Sequence, residues 1–221
     1  MTVEELQDGL KRHDDGVLKY GCHKAGSREF CALEFSSIMR GKPFSDQADD
    51  LPDIRVLNDA FGRSKEADIA RTAHVLPVMA VLWDWASWSV ARKQGFSQLL
   101  AVKMVNRLIA ALPGLPDDIV EQCRKASTCN AAARAAVAAR AAGAAPEAAH
   151  AMYSAARAAA WAEHEDTAAA ATAAAWAAAD AARAAGAAGA RVPILAIACH
   201  LWVEAAEESL LGDEVADEQD Q

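Results

Sequence analysis

The sequence predicts an all-α protein. Three observations carry that prediction. No run alternates apolar and polar residues with the period of a strand, and apolar residues recur at helical spacing between clear breakers. Residues 131 to 190 also hold 37 alanines in 60 positions. Alanine is the strongest helix former because it loses no side-chain entropy in a helix. The expected architecture is a single domain over residues 1–211. Its helical part (1–130) carries a loop–helix motif, its second part (131–211) is an Ala-rich, closely packed antiparallel helical hairpin region, and residues 212–221 form an acidic flexible tail.

The elements follow in order. "TVEE" is a capping-box pattern, with Thr2 as cap and Glu5 reaching back. "HDDG" ends that helix, and Gly16 suits a left-handed residue. "CALEFSSIMRG" reads as a short helix ending at Gly41. Asp50 or Asp53 caps "IRVLNDAF", and Ser64 caps "SKEADIARTAH". "VLPVMAVLWDWASWSVARKQG" is apolar nearly all round and reads as the central helix, with Pro77 in its first turn and Trp83, Trp85 and Trp88 in the core. "FSQLLAVKMVNRLIAAL" continues as an amphipathic helix, and Asp117 or Asp118 caps "IVEQCRKAS". One rod from Glu147 to Gly186 would be about 60 Å long, too long for this chain, so "EHEDT" reverses it, with Asp166 or Thr167 as a cap. Trp161 and Trp176 are expected as packing anchors, and "PILAIACHLWVEAAEESLL" as the last helix. Breaks are placed near residues 13–17, 41–52, 62–64, 113–117, 143–146 and 189–193.

The formal net charge is −9, which argues against nonspecific nucleic-acid binding. No stretch combines transmembrane length with enough strongly apolar side chains, and the Ala tract is punctuated by Arg134, Arg140, Arg157, Glu163, Asp180 and Arg183. Five cysteines at these spacings match no disulfide scaffold. The expectation is a cytoplasmic protein with reduced thiols.

"GCHKAGSREFCALEF" is the densest group of reactive residues. Cys31 and Glu34 share a helical face, and His23 starts the loop that leads into it. A thiolate beside a histidine at a helix start suits a nucleophile. His23, Cys31 and Glu34 also offer three zinc ligands, although a closed structural site wants four. The plainer reading buries Cys31 and has Glu34 accept backbone N–H bonds from the loop. No cofactor or structural metal is expected. His74, His150, His164 and His200 stand isolated, and Cys123 and Cys129 read as small apolar side chains.

Residues from about 17 to 85 resemble a segment shared by uncharacterised proteins of actinobacteria and their phages. The pattern runs G-S-H, C-x-M-E, G-E-P-W-S-D and N-D. It is matched here by Gly21, Cys22, His23, Cys31, Leu33, Glu34, Gly41, Pro43, Phe44, Ser45, Asp46, Asn58 and Asp59. Cys22, Leu33 and Phe44 depart from its Ser, Met and Trp. The resemblance implies where a site lies: His23, Glu34, Ser45, Asp46, Asn58 and Asp59 as a ligand-binding set. The same residues also suit caps and turns. The leading expectation is a non-enzymatic, phage-related binding protein that engages a host protein or a small ligand. The alternatives are a Cys/His-dependent or metal-assisted hydrolase centred on His23, Cys31 and Glu34, and a homo-oligomer built through Ala-rich helices.

Overall fold

The computed structural model describes residues 1–219 except 14, 26–28, 46–49, 143–145, 165 and 187–189, and from 211 onward the backbone alone. Among the described residues there are ten α-helices and no strand, so the chain is all-α. It divides into two compact units, Met1–Ser87 and Trp88–Gln221. The change of composition near residue 131 lies inside the second unit.

The first unit holds α1 (Val3–His13), α2 (Ala32–Met39), α3 (Arg55–Ala60) and α4 (Lys65–Val81). The Thr2–Glu5 capping box forms, with Thr2 N donating to Glu5 at 2.7 Å and Glu5 N to Thr2 Oγ1 at 3.1 Å. Gly16 takes φ 86°, so the chain turns away after α1 without the strain a Cβ would add. Arg55 N donates to Asp53 at the head of α3, and Ala67 N to the Ser64 cap of α4. Both α1 and α2 pack on α4, and α3 lies against α2 and α4. Leu6, Leu10, Phe35, Leu57, Val75 and Met79 are fully buried.

Pro77 corrects the sequence reading. It lies inside α4, well past the first turn. The carbonyl it leaves without an N–H partner belongs to Ala73, which is exposed, so water can satisfy it. The expected central helix also breaks: α4 stops at Val81, a 3₁₀ turn covers Trp85–Ser87, and a new helix starts at Val90. Ser89 explains the restart, because its hydroxyl caps the new helix by accepting from Arg92 N at 3.0 Å. Trp85 and Trp88 are buried as expected, whereas Trp83 is only half-buried beneath the Arg40 guanidinium.

The second unit holds α5 (Val90–Lys103), α6 (Asp117–Lys125), α7 (Cys129–Ala141), α8 (Pro146–Glu163), α9 (Thr167–Gly186) and α10 (Arg191–Gln219). A π turn at Met104–Leu108 and a 3₁₀ turn at Ile109–Ala111 extend α5. Asp117 and Asp118 stand in the first turn of α6, and its cap position is Pro116, so neither caps it by side chain. Thr128 caps α7 and Asp166 caps α9. The expected break at 143–146 falls mostly outside the described residues. Of the break at 189–193 only residue 189 does, and α10 begins at Arg191, so Pro193 stands in the first turn of a helix and does not interrupt one. The backbone of α10 is helical through Gln219, where a flexible tail was expected.

The helices α7, α8 and α9 pack together, α8 and α9 most closely. The pair is antiparallel: Ser154 meets Asp180, while Trp161, further along α8, faces Thr172, earlier on α9. Alanine makes almost the whole inner surface, including Ala151, Ala155, Ala158, Ala174, Ala178 and Ala181, all fully buried. The two tract tryptophans are not the anchors expected of them. Trp176 is 46% exposed and Trp161 half-buried, because helices this close leave no room for an indole between them. Among the described residues no helix is long and apolar enough to cross a membrane.

Candidate functional site

The candidate residues gather around the segment from Leu18 to Ala32. Its two ends meet where Lys19 N donates to Phe30 O at 2.8 Å. Cys31 precedes α2, and Glu34 is the third residue of that helix. From there the carboxylate turns back into the loop. Its Oε1 accepts from His23 N at 2.5 Å. Its Oε2 accepts from Cys31 N at 2.8 Å and lies 2.8 Å from His23 Nδ1. Glu34 is 0% exposed, so these donors replace the water it gave up.

Asn58 and Asp59 close the same loop from α3. The fully buried Asn58 donates from Nδ2 to Lys19 O at 2.9 Å and accepts from Ala32 N at 3.3 Å. Asp59 Oδ1 accepts from Gly21 N at 2.8 Å and from Asn58 Nδ2 at 2.9 Å. Gly21 takes φ 81°, a conformation that costs glycine nothing and turns its N–H onto Asp59.

A third anchor, Arg71, escaped the sequence reading. It is fully buried on α4. Its guanidinium donates to the carbonyls of Leu18 at 2.9 Å and Asn58 at 2.7 Å, and also to Gly62 O and the Asp68 carboxylate. Thr72 Oγ1 accepts from Leu18 N at 2.7 Å. Lys19 bridges Asp15 and Asp68; burial works against its charge, but the two carboxylates outweigh that and hold its pKa up. A signal for Arg71 existed. In "EADIARTAHVLPV" it stands on the apolar stripe with Ala67, Val75 and Val78, where an unpaired charge would be very costly.

The set does not all converge. Ser45 is held elsewhere on α2, through Ser37 Oγ donating to its carbonyl at 3.1 Å. Asp46 lies outside the described residues.

Glu34 and His23 form a carboxylate–imidazole pair. The other ring nitrogen of His23, Nε2, lies 3.9 Å from Glu29 Oε2, so the imidazole stands between two carboxylates. Cys31 is 2% exposed, and burial drives its thiol pKa far up, with the Glu34 charge adding to the effect. A thiol in that state is a poor nucleophile. Burial likewise raises Cys123, and Cys129 to about 11. Among the described residues no three His, Cys, Asp or Glu side chains are grouped to hold a metal ion. Comparison with known protein families, curated proteins and solved structures gives no match.

Proposed function

We propose that this protein is a non-enzymatic binding protein, phage-related, that presents the loop between Gly21 and Phe30 to a host protein or a small ligand. One observation carries the reading. The fully buried polar side chains of the first unit, Glu34, Asn58 and Arg71, each hydrogen-bond to backbone groups at the base of that loop. They shape a surface. Cys22, Lys24, Ala25 and Glu29 then face outward on a clamped frame. Pre-organisation of this kind lowers the ordering cost of binding. The His23–Glu34 pair suits a hydrolase as well, but Cys31 lies on the buried side of the clamp.

Two measurements separate the readings. Under native conditions iodoacetamide is expected to label the exposed Cys22 and to leave Cys31 unlabelled until the chain is denatured. A photo-crosslinker carried on Cys22 should capture a partner, and reversing the charges of Lys24 and Glu29 together should abolish capture without changing the melting temperature. Native labelling of Cys31, or p-nitrophenyl acetate hydrolysis that His23→Ala removes, transfers the assignment to the hydrolase.

A further inference from the structure

We propose that the groove between α8 and α9 is a docking site for an acidic segment of a partner protein, which inserts one aromatic or branched apolar side chain. The groove is independent of the loop of the first unit. It is lined by Ser154, Arg157 and Trp161 of α8 and by Thr172, Ala173 and Trp176 of α9.

The first argument is where the large side chains sit. The two helices are held by alanine, so no indole is needed between them. Trp161 and Trp176 stand instead at the groove, and Trp176 is 46% exposed. Tyr153, one turn from Arg157, is 48% exposed. Water-facing indole and phenol rings beside an arginine match the composition of interface hot spots.

The second argument is charge. The Arg157 guanidinium lies 4.0 Å over the Trp161 ring and 5.6 Å from the Tyr153 ring, and the Arg140 guanidinium lies 5.3 Å from that same Tyr153 ring. Among the described residues neither arginine is paired with a carboxylate, on a chain whose net charge is −9. Stacking fixes the guanidinium plane and leaves its N–H edge able to take a carboxylate in two parallel bonds. At the far end Asp180 is paired with Arg183 at 2.6 Å.

The third argument is size. The groove encloses about 220 Å³. Pockets for whole small ligands span roughly 300–1,000 Å³, whereas this volume accepts a single side chain. A peptide segment anchored by one residue fits; a cofactor-sized molecule does not.

The test uses the full chain and a synthetic acetylated pentapeptide with one Phe between pairs of Asp and Glu. Its counterpart carries Asn and Gln in place of the acids. Backbone and indole N–H shifts are followed by NMR up to about 5 mM peptide, a concentration that reveals even millimolar affinity. The expected result is movement of the Trp161 and Trp176 indole signals with the acidic peptide. Affinity should fall about tenfold in Arg157→Ala and in Trp176→Ala, and by less in Arg157→Lys, which keeps the charge but not the stacked fork. These side chains lie on an outer face, and circular dichroism melts confirm that each variant folds. Three outcomes overturn the proposal: equal binding of the amide counterpart, unchanged affinity in Arg157→Ala, or no indole shift. Indole signals that move with protein concentration alone also overturn it and give the groove to a second copy of the chain.

Discussion

Arg71 donates its Nε hydrogen to the backbone carbonyl of Asn58 at 2.7 Å, while the Asn58 side chain holds Lys19 O and Ala32 N. One buried guanidinium thus fixes the residue that fixes the loop. The chain of dependence runs from α4 through α3 to the loop's base.

Arg71 is therefore expected to be the least replaceable polar residue of the first unit. Arg71→Leu strands the carbonyls of Leu18, Asn58 and Gly62 and should cost about 3 kcal/mol or more. Arg71→Lys should recover little, since an ammonium cannot reach several divergent acceptors at once. Urea unfolding of both variants checks this; a Lys variant within about 1 kcal/mol of the parent contradicts it.

Glu34→Ala leaves His23 N, His23 Nδ1 and Cys31 N without their acceptor, and about 1–3 kcal/mol should be lost. Glu34→Gln keeps one acceptor and should lose less. Hydrogen exchange at the amides of His23 and Cys31 should quicken in the Ala variant more than elsewhere in the unit. If both variants melt at or above the parent temperature, Glu34 serves a ligand and not the loop.

His23, Glu34, Asn58 and Asp59 were legible as a group only through the resemblance to the actinobacterial and phage segment, since Ser, Asp and Asn beside turns read by themselves as caps and turn-formers. How they meet was not. The contacts of Leu18 with Thr72 and of Gly21 with Asp59 join residues far apart in sequence, and such pairs leave no periodic trace. The caps Thr2, Ser64 and Asp166 were readable because capping is local. Pro77 was misread because a proline's missing N–H matters only where the opposite carbonyl is buried, and exposure is a tertiary property. Trp176 was misplaced for a related reason: hydrophobicity marks an indole as core material, but alanine packing had already closed the space.

Two carboxylates of the second unit are expected to act on stability with opposite signs. Burial works to raise the Glu204 pKa, but its bonds to Arg107 and Lys103 outweigh burial and hold it low. A folded pKa below the unfolded value, about 4.3, stabilises above that value and loses the contribution as pH falls through the folded pKa. The gap in melting temperature between the parent and Glu204→Gln should accordingly close as the solution is acidified. Added salt should narrow it at neutral pH.

Asp180 behaves in reverse. Burial raises its pKa despite Arg183, His150 and Ser154. Its contribution is complete below the unfolded value, about 3.9, and is lost as pH rises through the folded pKa. Asp180→Asn should remove this decline, so its melting temperature should change less across that window than the parent's. A parallel curve for parent and variant speaks against it.

Gly9 brings α1 close to α2. A Cβ there would lie 2.5 Å from Met39 Sδ and 3.2 Å from Phe35 Cζ. Helix propensity favours Gly9→Ala by about 1 kcal/mol, but the crowding should reverse the sign and leave a net loss of about 1 kcal/mol. Half-buried Met39 can move and fully buried Phe35 cannot. Combining Gly9→Ala with Met39→Ala should therefore be less damaging than the sum of the two, by an amount a double-mutant cycle can resolve.

The alanine faces of α8 and α9 carry few protrusions to tell one seating from the next. A slide of one helical turn, about 5.4 Å, would bring nearly the same surface into contact. The 5%-exposed Asp180 breaks that degeneracy, with Ser154 Oγ 3.5 Å from its carboxylate. One turn along, the carboxylate would face Ala158, which offers it nothing. A tract built almost from a single amino acid thus acquires one alignment, indexed by a residue whose burial is itself unfavourable.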